Sequence, residues 1–454
     1  MVRKKKNRAL ELLKDLLIVL LVLSAVYLTL RTQLAAGLSA ESSGGWLGEI
    51  ISFFDPDSRR ILPANEQEQD RPVELRPLRM AVNIKPGERY GVQYDGAGSD
   101  KLFEAMFSLL GEALGSAQAP VQVPQAIWRN ALSFQSGVYF DFQGQVPMGA
   151  LYAWLEAGPA KLLAGENTRR ILLAEDGEGA VKLYYESGGV YYASDTAQTP
   201  KGHLQSAVAG YSGNGATFAY EHKGETALAT LAPYVMLIQN TPNMAERTYG
   251  IYNTFNPIAQ MEKGRGALLE ALRFSPQASS YVAWGQLVVK EGEDTLTVND
   301  SGTASFSGGD SAQPRYPVGG GGDGPSATEI MEVTQRLAEK TLGTWSGDGK
   351  IYLIGITQPE PGIWQADYGY RLDGVTVQLG SEGYAARFIV RGDRVSEFTL
   401  HFRGYHPTGE RATVLPEVQA AAAMGALGAN GRELLLTYED NGTAETVKCG
   451  WIAA

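Results

Sequence analysis

The chain has 454 residues, a length that suggests about three domains of ordinary size. Hydrophobic residues make up 44 % and charged residues 20 %, which excludes a chain disordered by composition, and the single cysteine, Cys449, excludes an intramolecular disulfide, a CxxC redox pair and a thiolate zinc site. Net charge is −11, yet residues 1–14 hold six basic side chains against Glu11, so the other 440 residues carry −16; a body that acidic excludes general nucleic-acid binding, which needs clustered Lys and Arg.

The basic start precedes Leu16–Leu30 (LLIVLLVLSAVYLTL), fifteen residues without a charge. A bilayer core needs ~20 residues of helix, and extension back to Ala9 supplies them. Lys14 then snorkels to the headgroups, and Asp15 sits near the same interface. The positive-inside rule places residues 1–8 in the cytoplasm and everything after about residue 31 outside. Residues 1–35 therefore read as a basic tail and a transmembrane anchor. The competing reading is a signal peptide cleaved near Ala35-Ala36-Gly37. A lipid-anchored start is excluded, because no cysteine follows the apolar run.

Residues 36–77 read as a tether, polar and punctuated by Pro56, Pro63, Pro72 and Pro77. A first α+β domain is predicted over 78–210. Ser99 or Asp100 is placed to cap a helix that runs to about Leu114, with Leu102, Phe103, Met106, Leu109, Leu110 and Ala113 on one face. Val138–Phe142 alternates as a strand, and Pro147 starts a helix containing Leu151 and Trp154. Strands follow at Ile171–Ala174, Val181–Tyr185 and Val190–Ala193, the last two joined by a Glu186-Ser187-Gly188-Gly189 turn. Tyr184, Tyr185, Tyr191 and Tyr192 lie on these paired strands, so one tyrosine of each adjacent pair is expected to face out. Cross-strand stabilisation accounts for them, with an exposed stacking surface as the alternative.

A middle domain is predicted over 211–310, with an apolar segment Leu231–Ile238, a helix Gly266–Phe274, and strands Gln286–Lys290 and Thr295–Asn299. Residues 311–325 read as a Gly/Pro-rich linker, within a biased stretch that begins near 308. A C-terminal α+β domain fills 326–454. Its helix Ala327–Leu342 places Ile330, Val333, Leu337 and Thr341 on one stripe. Strands are predicted at 350–356, 364–371, 375–379, 385–391 and 395–402. A helix follows Pro416, and strands at 433–438 and 446–451 close the chain. The fold class is α+β, with antiparallel sheets and packed helices.

No catalytic signature accompanies this layout. Gly319–Gly324 satisfies GxGxxG in form, but prolines rather than a strand precede it, so it reads as linker. Gly349-Lys350 lacks the Ser or Thr of a phosphate loop, and Ser212 lacks the last glycine of a nucleophile elbow. The four histidines are too scattered for a metal motif. Cys449 alternates with Val447 and Trp451, which reads as a buried structural thiol. No catalytic, cofactor-binding or metal-binding residue is predicted. Asn299-Asp300-Ser301 and Asn441-Gly442-Thr443 are glycosylation sequons in form and read as turns.

The organisation resembles the YycH family, extracytoplasmic regulators of the WalK-type sensor histidine kinase of Gram-positive bacteria. Three segments carry the likeness: Trp128–Trp154, Tyr281–Phe306 and Tyr368–Tyr405, the last similar to the module that YycH shares with its partner YycI. The resemblance implies a non-enzymatic regulator without a cofactor. Its partners would be a sensor kinase and a YycI-like single-span protein, and its readout cell-wall homeostasis. It also implies that the anchor helix packs against kinase helices. Ser24, Ala25 and Thr29 are the small or polar residues there that permit close approach, with lipid-facing filler as the alternative. The alternative function is a PepSY-like exported inhibitor or ligand-binding module acting on wall hydrolases; an exported wall-active enzyme is the third reading.

Overall fold

The computed structural model describes residues 73–454, apart from 159–160, 198–201, 223–225, 239–246, 253–263, 320–323, 381, 429–430 and 443–444. The anchor, its Ser24, Ala25 and Thr29, the tether as far as residue 72 and most of the GxGxxG stretch lie outside the described residues. No helix among the described residues is long and apolar enough to cross a membrane.

The first layer is a seven-stranded antiparallel sheet. It comprises β1 (Arg79–Lys85), β2 (Glu88–Gln93), β3 (Val121–Val123), β4 (Gly137–Pro147), β5 (Asn167–Glu175), β6 (Val181–Ser187) and β7 (Val190–Asp195), in the order β2-β1-β4-β5-β6-β7-β3. The β6–β7 turn is Gly188-Gly189, both at positive φ, where side chains are strained and glycine is not. Helix α1 (Gly96–Gly115) buries the face that the spacing predicts. It begins earlier than Ser99, because Asp95 rather than Ser99 or Asp100 caps it, accepting from the Gly98 amide at 2.9 Å. Helices α2 (Gln125–Phe134), α3 (Met148–Trp154) and α4 (His203–Val208) complete the cover.

This sheet is covered on both faces. Val138 and Phe140 of β4 join Leu102, Phe103 and Leu110 of α1, while Tyr139 between them joins Trp128 and Leu132 of α2 on the opposite face. A small pair, β8 (Ala216–Phe218) and β9 (Met236–Ile238), extends the second cover. Hence the expectation of outward tyrosines fails. Tyr184 and Tyr185 are both buried and Tyr191 and Tyr192 half-buried. Tyr185 stacks on its cross-strand partner Tyr192 with ring centres 5.0 Å apart.

The second layer is an eleven-stranded sheet. After β10 (Arg247–Tyr252) and helix α5 (Gly264–Ala271) come β11 (Ser279–Ala283), β12 (Gln286–Glu291), β13 (Asp294–Asn299) and β14 (Thr303–Ser307), a meander. Helix α6 (Ala327–Ala338) is capped by a Ser326–Glu329 capping box and widens into a π turn over Glu339–Gly343. Strands β15 (Lys350–Glu360), β16 (Ile363–Leu372), β17 (Val375–Leu379), β18 (Ala386–Arg391), β19 (Arg394–His401) and β20 (Gly404–Arg411) follow. Helix α7 (Glu417–Ala426) then leads to β21 (Leu434–Asp440), β22 (Thr446–Val447) and β23 (Cys449–Ala453).

Strand β14 pairs with β19, so the meander at 279–307 continues the sheet of the C-terminal segment. Contacts place the described residues in one compact unit. Among the described residues one pair, β17 with β21, is parallel and the other ladders are antiparallel. Strand β10 pairs with β20 and β22 in a separate three-stranded sheet.

The segment read as linker packs where it is described. Tyr316 and Val318 are buried, the Tyr316 hydroxyl donates to the Leu272 carbonyl at 2.5 Å, and the Val318 amide donates to the Asp393 carbonyl at 2.7 Å. Composition averages over the stretch and misses two apolar side chains that find a core. Strands β4 and β15 approach so closely that a Cβ at Gly144 would collide with the Ile354 carbonyl oxygen, which leaves only glycine there.

Candidate functional site

Three features stand out for buried charge, a charged cleft or exposed apolar surface. The first is a buried ionic cluster. Asp141, fully buried on β4, receives Arg169 Nε at 3.3 Å, Arg170 Nε at 3.6 Å and Arg79 Nη1 at 3.8 Å. Arg170 also reaches Glu186 at 3.3 Å and Glu433 at 3.1 Å, Arg79 reaches Glu433 at 3.6 Å, and Arg169 pairs with Glu433. Three guanidinium groups thus face three carboxylates. Burial by itself would raise the Asp141 carboxyl, but Arg169, Arg170 and Arg79 together hold it well below the usual carboxylate range. The register explains the convergence: Arg79 on β1 and Arg170 on β5 both lie directly across from Asp141 on the central strand β4. Glu433 arrives from just before β21, so the cluster ties the first sheet to the C-terminal end of the chain.

Beside it, Glu417 at the start of α7 is buried. Its carboxylate accepts from the Gln93 side-chain amide at 2.7 Å and from the Ile238 backbone amide at 2.7 Å. Burial pushes this carboxyl up to about 7, against the opposing pull of the Ile238 amide, Arg79 and Gln93.

The second feature is a half-open cleft of about 510 Å³, adjoining another of about 480 Å³. Arg76, Asp100, Lys350 and Arg371 meet there. Asp100 is 3.5 Å from Arg76 and 3.9 Å from Lys350. Arg371 makes no ion pair among the described residues, and its Nε is buried without a hydrogen-bond partner. Burial lowers its guanidinium, Asp100 opposes that, and Arg76 adds to it. The cleft is polar and of mixed charge.

The third feature is the β11–β12 hairpin, whose turn residue Trp284 is 99 % exposed.

Among the described residues no group of three or more His, Cys, Asp or Glu side chains is placed to hold a metal ion. Cys449 is buried and paired across the ladder with Tyr438, and burial pushes its thiol up to about 11, away from a nucleophile's range. His401 meets Glu382 at 3.3 Å near the surface, and burial lowers its imidazole.

Sequence reasoning picked out none of these three features. Asp141 had left a signal, as the one charge inside the alternating VYFDF strand. Glu417 had left none that separates it from an ordinary surface carboxylate, and Trp284 none that separates it from an ordinary core aromatic.

The architecture is a mixed α+β fold of two large, mainly antiparallel sheets that share one core. It is YycH-like. The chain matches the crystal structure of YycH from Bacillus subtilis with a TM-score of 0.52 at 12 % sequence identity, over 85 % of this chain and 94 % of that one. No family model matches the chain, and no curated protein matches it.

Proposed function

We propose that the protein is a membrane-anchored, non-enzymatic regulator acting by protein contact on a sensor histidine kinase outside the cytoplasm, together with a YycI-like single-span protein. The observation that carries this reading is the YycH-like fold over 85 % of the chain. The basic tail and apolar run at 1–35 fit a retained single span with the body outside. On this reading Ser24, Ala25 and Thr29 contact the kinase helices.

Regulation requires differential affinity. A protein that bound two kinase states equally would shift neither, however tightly it bound. The regulator must therefore present a surface that fits one state better than the other. Cell-wall homeostasis is the proposed output.

The test is crosslinking of the full-length protein in its host membrane, combined with kinase-dependent transcription in a deletion strain. Recovery of a sensor kinase and a second single-span protein, with altered transcription on deletion, is the expected result. Recovery of wall hydrolases without a kinase, and transcription unchanged on deletion, would overturn it.

A further inference from the structure

Strand β11 is the edge of the eleven-stranded sheet; among the described residues it pairs with β12 alone. An edge strand leaves one row of backbone N–H and C=O groups open, and proteins usually blunt such a row with lysine, proline or a bulge. Strand β11 (Ser-Ser-Tyr-Val-Ala) has none of the three: its register to β12 runs without a shift and its side chains are uncharged. The uncharged run extends from Phe274 to Val289, sixteen residues, in a segment 73–454 that holds 29 Lys and Arg against 41 Asp and Glu.

Large side chains on this edge stand in solvent. Tyr281 is 48 %, Val282 45 % and Trp284 99 % exposed. Ala283 pairs with Gln286, so the turn is the two residues Trp284-Gly285, with φ of +54° and +75°. That is a primed hairpin turn, whose first position favours Asn, Asp or Gly. Here a tryptophan occupies a left-handed conformation while touching almost nothing in its own chain, so its indole contributes nothing to the fold.

We infer that the β11 edge with Trp284 is a docking surface for a separate protein chain, which adds an extended, uncharged strand to β11 and receives the indole in an apolar pocket. The open backbone row selects an extended strand, and an exposed tryptophan at its end is of the residue type that most often anchors an interface. Charge selects among occupants. A body of net charge −12 is repelled by anionic lipid and by a second copy of itself, whereas the neutral run suits a neutral strand. The inference rests on the regulator reading for the partner's identity.

The test uses the full-length chain in its host membrane, beside the kinase and the second single-span protein. The wild type is compared with Trp284→Ala and Val282→Pro. In a two-residue hairpin the pair flanking the turn is the hydrogen-bonded one, so the backbone groups of Val282 point away from β12 and proline there spares the ladder. Capture yield of the two named proteins is read by quantitative mass spectrometry, with thermal unfolding as the folding control. Both variants are expected to fold as wild type and to lose about tenfold or more of one partner.

Equal yields from all three chains overturn the docking surface and leave the regulator reading standing. A Trp284-dependent loss on phosphatidylglycerol vesicles, with protein capture unchanged, reassigns the hairpin to lipid. A Trp284-dependent change in sedimentation, again with capture unchanged, reassigns it to a second copy. A wild-type chain that captures neither protein, with transcription unchanged on deletion, overturns the regulator reading itself.

Discussion

Compare the middle of the seven-stranded sheet with the β11 end of the eleven-stranded one. Both consist of antiparallel strands. In the first, β4 is buried on both faces, by α1 and α3 on one side and α2 on the other, and its one charge is met by three arginines. In the second, the core side of the meander buries Leu287, Val289, Leu296 and Val298, but cover stops short of β11, where Tyr281, Val282 and Trp284 emerge. The first region is complete within the chain. The second spends nonpolar surface on solvent, which a fold by itself has no reason to keep. The contrast predicts that changes in the first region act on stability and changes in the second on association.

The largest effect is expected at Asp141. Asp141→Ala leaves three guanidinium groups buried around a missing partner and should cost about 3–5 kcal/mol, read as a fall in the urea midpoint. A loss below about 1 kcal/mol would show that water reaches the cluster and that the first region is not closed.

Glu417 offers a pH-dependent version of the same test. Its folded carboxyl stands near 7, above the ordinary 4.5. The folded state therefore holds a proton that the unfolded state has released, and stability falls as pH rises from about 4.5 to about 7, then levels. At pH 8 the Glu417→Gln chain should exceed wild type by roughly 2–3 kcal/mol, and at pH 4 the two should coincide. Parallel stability curves across that range would sink the assignment.

A smaller effect belongs to Asp95. Removing the α1 cap in Asp95→Ala should cost about 1 kcal/mol, measured by thermal unfolding, because one orphan amide at Gly98 loses its acceptor. Smallest of all is Trp284→Ala, expected to leave stability within about 0.5 kcal/mol in the same assay. A loss of several kcal/mol there would mean that the indole packs within the chain, and the comparison would collapse.

Periodicity made much of this legible beforehand. The apolar face of α1, the Pro147 start of α3, the Gly188-Gly189 hairpin and most strands of 350–402 all follow from spacing of two or 3.6 residues along the chain. Strand β20 carries no strand signal because its GYHPTGER segment, exposed from His406 onward, contains a proline and lacks alternation. Strand β1 carries no period-two signal because it is buried on both faces. The outward tyrosines failed for the same reason, since period two says that neighbours face opposite ways and says nothing about whether both ways are covered.

What the amino-acid sequence by itself determined is the succession of elements and the inward face of each amphipathic helix, because both depend on residues within a few positions of one another. The tertiary structure alone decided which strands share a sheet. It joined β14 to β19, laid β17 parallel to β21, and brought Glu433 to Arg170 across 263 positions. These pairings depend on register and on burial from both sides, and neither leaves a local trace. The exposed Trp284 belongs with them: its composition is that of a core residue, and only the end of the sheet's cover places it in water.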